Sequence, residues 1–111
     1  MTVVRPGTGP NARPRDYVKV NYSGKLGIGR EPFDTNDGED PLVLQIGVGE
    51  VIKGWDIGIC QMNKGCKALL IVPPELGYGA EGAGDDIPPN SVLYFTVELI
   101  DFSSDPNFGI Q

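Results

Sequence analysis

Trp55 is the only tryptophan in the chain. It stands in Glu50-Val-Ile-Lys-Gly-Trp-Asp-Ile-Gly-Ile59, where Ile52, Trp55, Ile59 and Met62 fall at spacings that place all four along one stripe of a helix. Such a stripe can plug a core, the commoner fate of a lone tryptophan, or it can floor a pocket for an apolar ligand. Covalent chemistry has little to work with. The absence of histidine removes Ser-His and Cys-His nucleophile pairs, imidazole metal ligands and the most frequent general base. Cys60, on the helix, and Cys66, after it, are too few for a disulfide framework and lack metal-site spacing. Both are expected to be reduced, buried thiols, and whatever this chain does needs no proton shuttle.

Three motif matches fail on context. Gly77-Tyr-Gly79-Ala-Glu-Gly82 fits the dinucleotide fingerprint letter for letter, but Pro74 precedes it and Gly84, Pro88 and Pro89 forbid the helix whose N-terminus would face a pyrophosphate. A flexible loop is expected there. Asp34 to Asp40 looks calcium-like, yet its glycine falls one place early for an EF-hand and no helices flank it, so a solvated acidic loop is expected. Asn21-Tyr22-Ser23 matches a glycosylation sequon but sits in a strand pattern. No metal and no cofactor are expected.

The elements that must hold these residues are mostly strands. Val18, Val20 and Tyr22 alternate with Lys19 and Asn21, Leu42, Leu44 and Ile46 alternate before Gly47 and Gly49, and Lys67 to Val72 is a run bounded by Pro73-Pro74. The longest strand is predicted over Val92 to Phe102, with Leu93, Phe95, Val97 and Leu99 on one face and Tyr94, Thr96 and Glu98 on the other. Gly54 and Gly58 each cost the helix about 1 kcal/mol relative to alanine, which close approach of helix to sheet would offset.

A chain of 111 residues, 40% apolar with 16 Gly and 10 Pro, makes one domain of short strands and many turns. Short, turn-rich connections imply an α+β fold: an antiparallel sheet curved around one short helix. The formal charge of −6 disfavours nucleic acid and anionic membranes as partners. With no signal-peptide pattern and no apolar run near the ~20 residues of a membrane span, a cytoplasmic monomer is expected.

Five ordered blocks, spanning about Val4 to Phe102, carry a resemblance. They are Val20-Asn-Tyr22-Ser-Gly24, Pro32-Phe33-Asp34, Gly49-Glu-Val51-Ile52-Lys-Gly54-Trp55, Pro73-Pro-Glu-Leu-Gly-Tyr78-Gly79, and Ile87-Pro88-Pro89 through Phe95-Thr-Val-Glu-Leu99. The chain resembles the FKBP-type peptidyl-prolyl isomerases. That implies a five- or six-stranded antiparallel sheet wrapped across one short α-helix, with residues 103–111 as a C-terminal tail on a single domain.

Carried over position by position, the resemblance implies a ligand pocket formed by Tyr22, Phe33, Asp34, Leu42, Glu50, Val51, Ile52, Trp55, Tyr78, Ile87 and Phe95. Tyr22, Asp34, Trp55, Tyr78 and Phe95 would be the catalytic set. In similar proteins a prolyl ring, or the pipecolyl ring of tacrolimus or rapamycin, lies over the indole, while the backbone N–H of Ile52 and the hydroxyl of Tyr78 donate to ligand carbonyls. Singly, Phe33 and Phe95 read as core aromatics and Asp34 as a turn residue; within these blocks the pocket reading is preferred.

The implied partners are proline-containing peptides and proteins and macrolide inhibitors. The family's drug complexes can also face calcineurin or the TOR kinase. The chain departs from the family pattern at Leu42, Ala83 and Asp86, making the rim smaller and more acidic, and the departures at the flap tip weaken the calcineurin and TOR expectation. A module that binds proline-containing partners in the same pocket without turnover is the alternative function.

Overall fold

The alternation near the C-terminal end produces the strand around which the sheet is assembled. In the computed structural model, which describes residues 1–109, the strands in chain order are β1 (Thr2–Arg5), β2 (Thr8–Asn11), β3 (Tyr17–Lys25), β4 (Pro32–Thr35), β5 (Leu42–Gln45), β6 (Asn63–Lys64), β7 (Lys67–Val72) and β8 (Leu93–Ser103). The single α-helix among the described residues, α1 (Lys53–Ile59), lies between β5 and β6, and a 3-10 turn covers Pro74–Leu76. Strand β8 runs antiparallel between β3 and β7, the order across the sheet is β1-β7-β8-β3-β4, and β5 also pairs with β3. Strands β2 and β6 form a separate antiparallel ribbon.

One face of β8 does what its pattern predicts: Leu93, Phe95, Val97 and Leu99 are buried and the intervening residues are not. Val18 and Val20 of β3 and Ala68, Leu70 and Val72 of β7 join them in one core with Trp55 and Ile59 of α1. Burying each of the larger side chains contributes roughly 1.5–3 kcal/mol, so helix and sheet hold each other in place. The two helical glycines have the expected role. A Cβ on Gly54 would come within 2.7 Å of a Val72 methyl, and one on Gly58 within 2.9 Å of a Leu70 methyl. Only glycine lets α1 lie this close to β7.

Several expectations need correction. The helix covers less of the stripe than the spacing suggests, because Ile52 is its N-cap in extended conformation and Met62 lies past its end, though Met62 is fully buried. Strands β1, β2, β4 and β6 carry no clean alternation; β1 and β2 are exposed along their whole length, and β2 and β4 contain proline. No periodicity marked them: β1 and β2 form by pairing with the remote β7 and β6, and β4 by folding back on β3. Cys60 caps α1 and is only half-buried, whereas Cys66 is buried.

The segment 77–82 folds into successive turns, with the Gly79 N–H donating to the Pro74 carbonyl (2.8 Å) and the Gly82 N–H to the Tyr78 carbonyl (3.1 Å). No phosphate-binding helix follows it. Beyond β8, the Phe108 ring faces the Lys19 ammonium at 5.5 Å and Gly109 packs on Val43, which folds the tail onto its own sheet. Residues 110 and 111 of that tail lie outside the described residues. No helix among the described residues is long and apolar enough to cross a membrane.

Candidate active site

Where α1 crosses the concave face of the sheet, the side chains leave a cavity of about 420 Å³. Trp55 reaches it from α1, Tyr22 from β3, Phe33 and Asp34 from β4, and Phe95 from β8. Leu42 of β5 and Glu50, Val51 and Ile52, just before the helix, form one rim; Tyr78, from the loop after the Pro74–Leu76 turn, forms the other. Trp55 is 4% exposed, so the indole is embedded in the core and offers only its upper surface to the cavity.

The aromatic rings lock one another. Tyr22 stands edge-on to Trp55 (5.1 Å between centroids, 74° between planes), Phe95 edge-on to Trp55 (5.3 Å, 84°) and Phe33 edge-on to Phe95 (5.7 Å, 84°). Such contacts are each worth about 0.5–1.5 kcal/mol beyond burial and fix ring orientation. Gly24 makes room for them, since a Cβ there would lie 2.5 Å from Phe95 and 2.8 Å from Phe33. The indole Nε1 is buried without a hydrogen-bond partner, the only such side-chain atom among the described residues. The base of the cup is thus a set of interlocked aromatic rings with the indole Nε1 as its one buried polar side-chain atom among the described residues.

Polar groups are confined to the sides. The Tyr22 hydroxyl donates to Asp34 Oδ2 at 3.1 Å. Burial first, and then the Asp34 charge and this hydrogen bond, push the Tyr22 phenol above its ordinary value, so it remains a neutral donor at physiological pH. The Ile52 N–H and the Tyr78 hydroxyl donate to nothing among the described residues and are free to meet a ligand. Asp56 accepts from the Gly47 N–H (2.8 Å) and the Gly49 N–H (3.2 Å), holding the loop that leads into Glu50 and Ile52. Both glycines have positive φ, near +78° and +79°, which suits them to this tight turn.

Asn36 has a further structural role. The outer edge of β3 is paired in two pieces, Tyr17 to Val20 with β5 and Ser23 to Lys25 with β4, which leaves a gap around Tyr22. The Asn36 side chain fills it: Oδ1 accepts from the Tyr22 N–H (2.8 Å) and Nδ2 donates to the Val20 carbonyl (3.0 Å). At 6% exposure it is the one buried polar side chain among the described residues. A single amide thus replaces a missing strand where the cavity wall needs support.

Ten of the eleven residues expected at the pocket line the cavity. The exception is Ile87, which is 6% exposed, belongs to the core cluster and does not reach the cavity wall. Its backbone pairs with Ala83 in both directions, and this closes a small hairpin and turns the side chain into the core. Sequence reasoning gave no role to Asn36, Asp56 or Gly24. An Asx residue beside a turn and an acid in the first helical turn were the available signals, but neither indicates its partner. No group of three or more His, Cys, Asp or Glu among the described residues could hold a metal ion.

Comparison with known proteins agrees with this geometry. The family described as FKBP-type peptidyl-prolyl cis-trans isomerase matches residues 9–100. An FK506-binding protein 1 from Gibberella zeae is 45% identical over 102 residues, covering 88% of this chain and 92% of its own. Peptidyl-prolyl cis-trans isomerase FKBP53 from Arabidopsis thaliana is 50% identical over 92 residues, 83% of this chain but only 19% of that longer protein. The crystal structure of AtFKBP13 superposes with a TM-score of 0.83 at 43% identity, covering 91% of this chain and 90% of that one. With that match across most of its length, and an aromatic cup over one tryptophan at the centre of the fold, the chain belongs to the FKBP-type peptidyl-prolyl cis-trans isomerase family.

Proposed function

We propose that this protein accelerates cis-trans rotation about Xaa-Pro peptide bonds during protein folding, with the prolyl ring seated over Trp55 between Tyr22, Phe33 and Phe95. The observation that carries this reading is the open cavity of about 420 Å³ above an otherwise embedded indole.

No bond is made or broken in such a reaction. An Xaa-Pro amide rotates over a barrier of about 18–20 kcal/mol because twisting breaks C–N resonance, while its two planar forms differ by only about 0.5–1 kcal/mol. The planar amide is strongly dipolar; the twisted one is less so. A dry apolar cup therefore disfavours the planar state more than the twisted one, and differential binding lowers the barrier. The Ile52 N–H and the Tyr78 hydroxyl would hold the flanking carbonyls. Asp34 would keep the Tyr22 ring in place through the phenol. A million-fold acceleration corresponds to about 8 kcal/mol, to be shared among desolvation, shape and these contacts.

The same cavity would take macrolides of the tacrolimus and rapamycin type, whose apolar ring replaces the prolyl ring. A cytoplasmic site of action belongs to the proposal. Both cysteines are free, in keeping with a reducing compartment. Burial, then Asp56 and Asp16, push the Cys60 thiol up and keep it protonated.

A protease-coupled isomerisation assay on an Xaa-Pro peptide, with and without rapamycin, tests the reading. Turnover abolished by the drug is the expected result, and Trp55→Ala should remove it together with about 3–5 kcal/mol of stability. Binding of the peptide without acceleration of its exchange would overturn the catalytic assignment.

A further inference from the structure

The cavity is apolar in its depth and anionic at its rim. Asp34 and Glu50 both line it, both are exposed, and no lysine or arginine lines it. Neither carboxylate has a cationic partner. The ion pairs among the described residues are Arg5 with Glu98 and Lys64 with Asp101, both elsewhere. Asp34 accepts the Tyr22 hydroxyl, and Glu50 accepts only the Gln45 N–H at 3.3 Å.

The surrounding sequence adds to this bias. After Lys67 the chain has no lysine or arginine at all, and the loop that supplies Tyr78 carries Glu75, Glu81, Asp85 and Asp86. Asp85 and Asp86 sit exposed at the tip of the hairpin closed by the Ala83–Ile87 pair. An apolar cup thus opens through a mouth with uncompensated negative charge.

Consecutive Cα atoms are about 3.8 Å apart, so the side chain next to a proline seated over Trp55 emerges at that rim. Building on the isomerase reading, we infer that the preferred substrates are Xaa-Pro bonds in which Xaa is lysine or arginine, with Glu50 a specificity-determining residue. The aliphatic stem packs along Leu42 and Val51 while the cation meets Glu50 and Asp34 in partly solvated surroundings. Charges at such separations in a water-like medium favour the basic substrate by about three- to tenfold over a neutral side chain of the same shape.

The test compares Ac-Ala-Xaa-Pro-Ala-NH₂ with Xaa as lysine, norleucine or glutamate, by NMR exchange spectroscopy at 10 and 500 mM salt. Norleucine matches the lysine stem without its charge. The expected order in kcat/KM is lysine, norleucine, glutamate at low salt, collapsing towards equality at high salt as screening shortens the reach of the rim charges. Glu50→Gln keeps an acceptor for Gln45 and should shrink the lysine-to-norleucine ratio. Asp105→Asn, which removes the same unit of charge from the tail, should leave that ratio unchanged. A ratio near one at low salt, a ratio insensitive to salt, or an equal response to Asp105→Asn overturns the inference. If no peptide exchanges faster than in buffer, the isomerase reading falls first.

Discussion

Asn36→Ala probes the link between fold and site most directly. The Asn36 amide supplies one acceptor to the Tyr22 N–H (2.8 Å) and one donor to the Val20 carbonyl (3.0 Å), and the residue is 6% exposed. Truncation leaves a half-buried donor and a buried acceptor of β3 without partners, at about 1–3 kcal/mol each, or roughly 2–6 kcal/mol together. The Asn36 backbone N–H still donates to the Tyr22 carbonyl (3.3 Å), so β4 stays attached and the change remains local. Against a domain stability of about 5–15 kcal/mol, that is a large fraction.

With a urea m-value of about 1.5 kcal/mol/M the unfolding midpoint should fall by about 1.3–4 M. Trp55, as the sole tryptophan, gives a fluorescence signal for the melt, and circular dichroism checks that both probes report one transition. Asn36→Leu refills the volume without polar atoms and should be nearly as damaging as Asn36→Ala. If leucine restored wild-type stability, packing and not hydrogen bonding would be the role of this residue. If both variants lost less than about 0.5 kcal/mol, the amide would not be bridging a break in the sheet edge. Isomerase efficiency should fall with stability in both, because Tyr22 sits on the unsupported stretch.

Three further outcomes follow from the geometry. Gly24→Ala puts a methyl within 2.5 Å of Phe95 and 2.8 Å of Phe33; overpacking costs about 1–3 kcal/mol, and kcat/KM should drop further than stability alone explains, as compared by urea melts and exchange rates on the same preparation. Asp56→Ala frees the Gly47 and Gly49 N–H groups and should raise KM several-fold with a smaller change in kcat, since it loosens the loop carrying Glu50 and Ile52 without touching Trp55. The third concerns pH. A hydrogen bond from Arg5 is the largest cause holding the Glu98 carboxyl below its ordinary value, with a second from Asn21 also lowering it. A lowered folded value means that the unfolded chain binds the proton first, so this contribution is complete above the ordinary carboxylate range and is lost as pH falls through the lowered value. Thermal melts of Glu98→Gln should therefore fall less steeply on acidification than wild type; an unchanged acid slope would rule the pair out as a contributor.

Much of this architecture could be read from the chain because it rests on local rules. Alternation marked β3 and β8 and the inward face of each, since side chains two apart share a face whatever the strand pairs with. Gly54 and Gly58 announced a close helix-to-sheet contact because nothing else justifies two such costs in one short helix. The lack of histidine excluded whole classes of catalysis by composition alone. Ordered blocks around Tyr22, Trp55 and Tyr78 carried the family, and with it ten residues that the fold gathers around one cavity.

What only the tertiary structure decided depends on register and distance between remote segments. Asn36 looked like part of a solvated acidic loop, and its burial follows from β5 leaving β3 after Val20 while β4 joins at Ser23. Ile87 was expected at the wall, but the Ala83–Ile87 pair turns its side chain into the core. Gly24 is required because Phe33 and Phe95 converge on it from two other strands. Periodicity states which face a side chain takes. It does not state which distant atom will be there to meet it, because that is set by how six strands close around one helix.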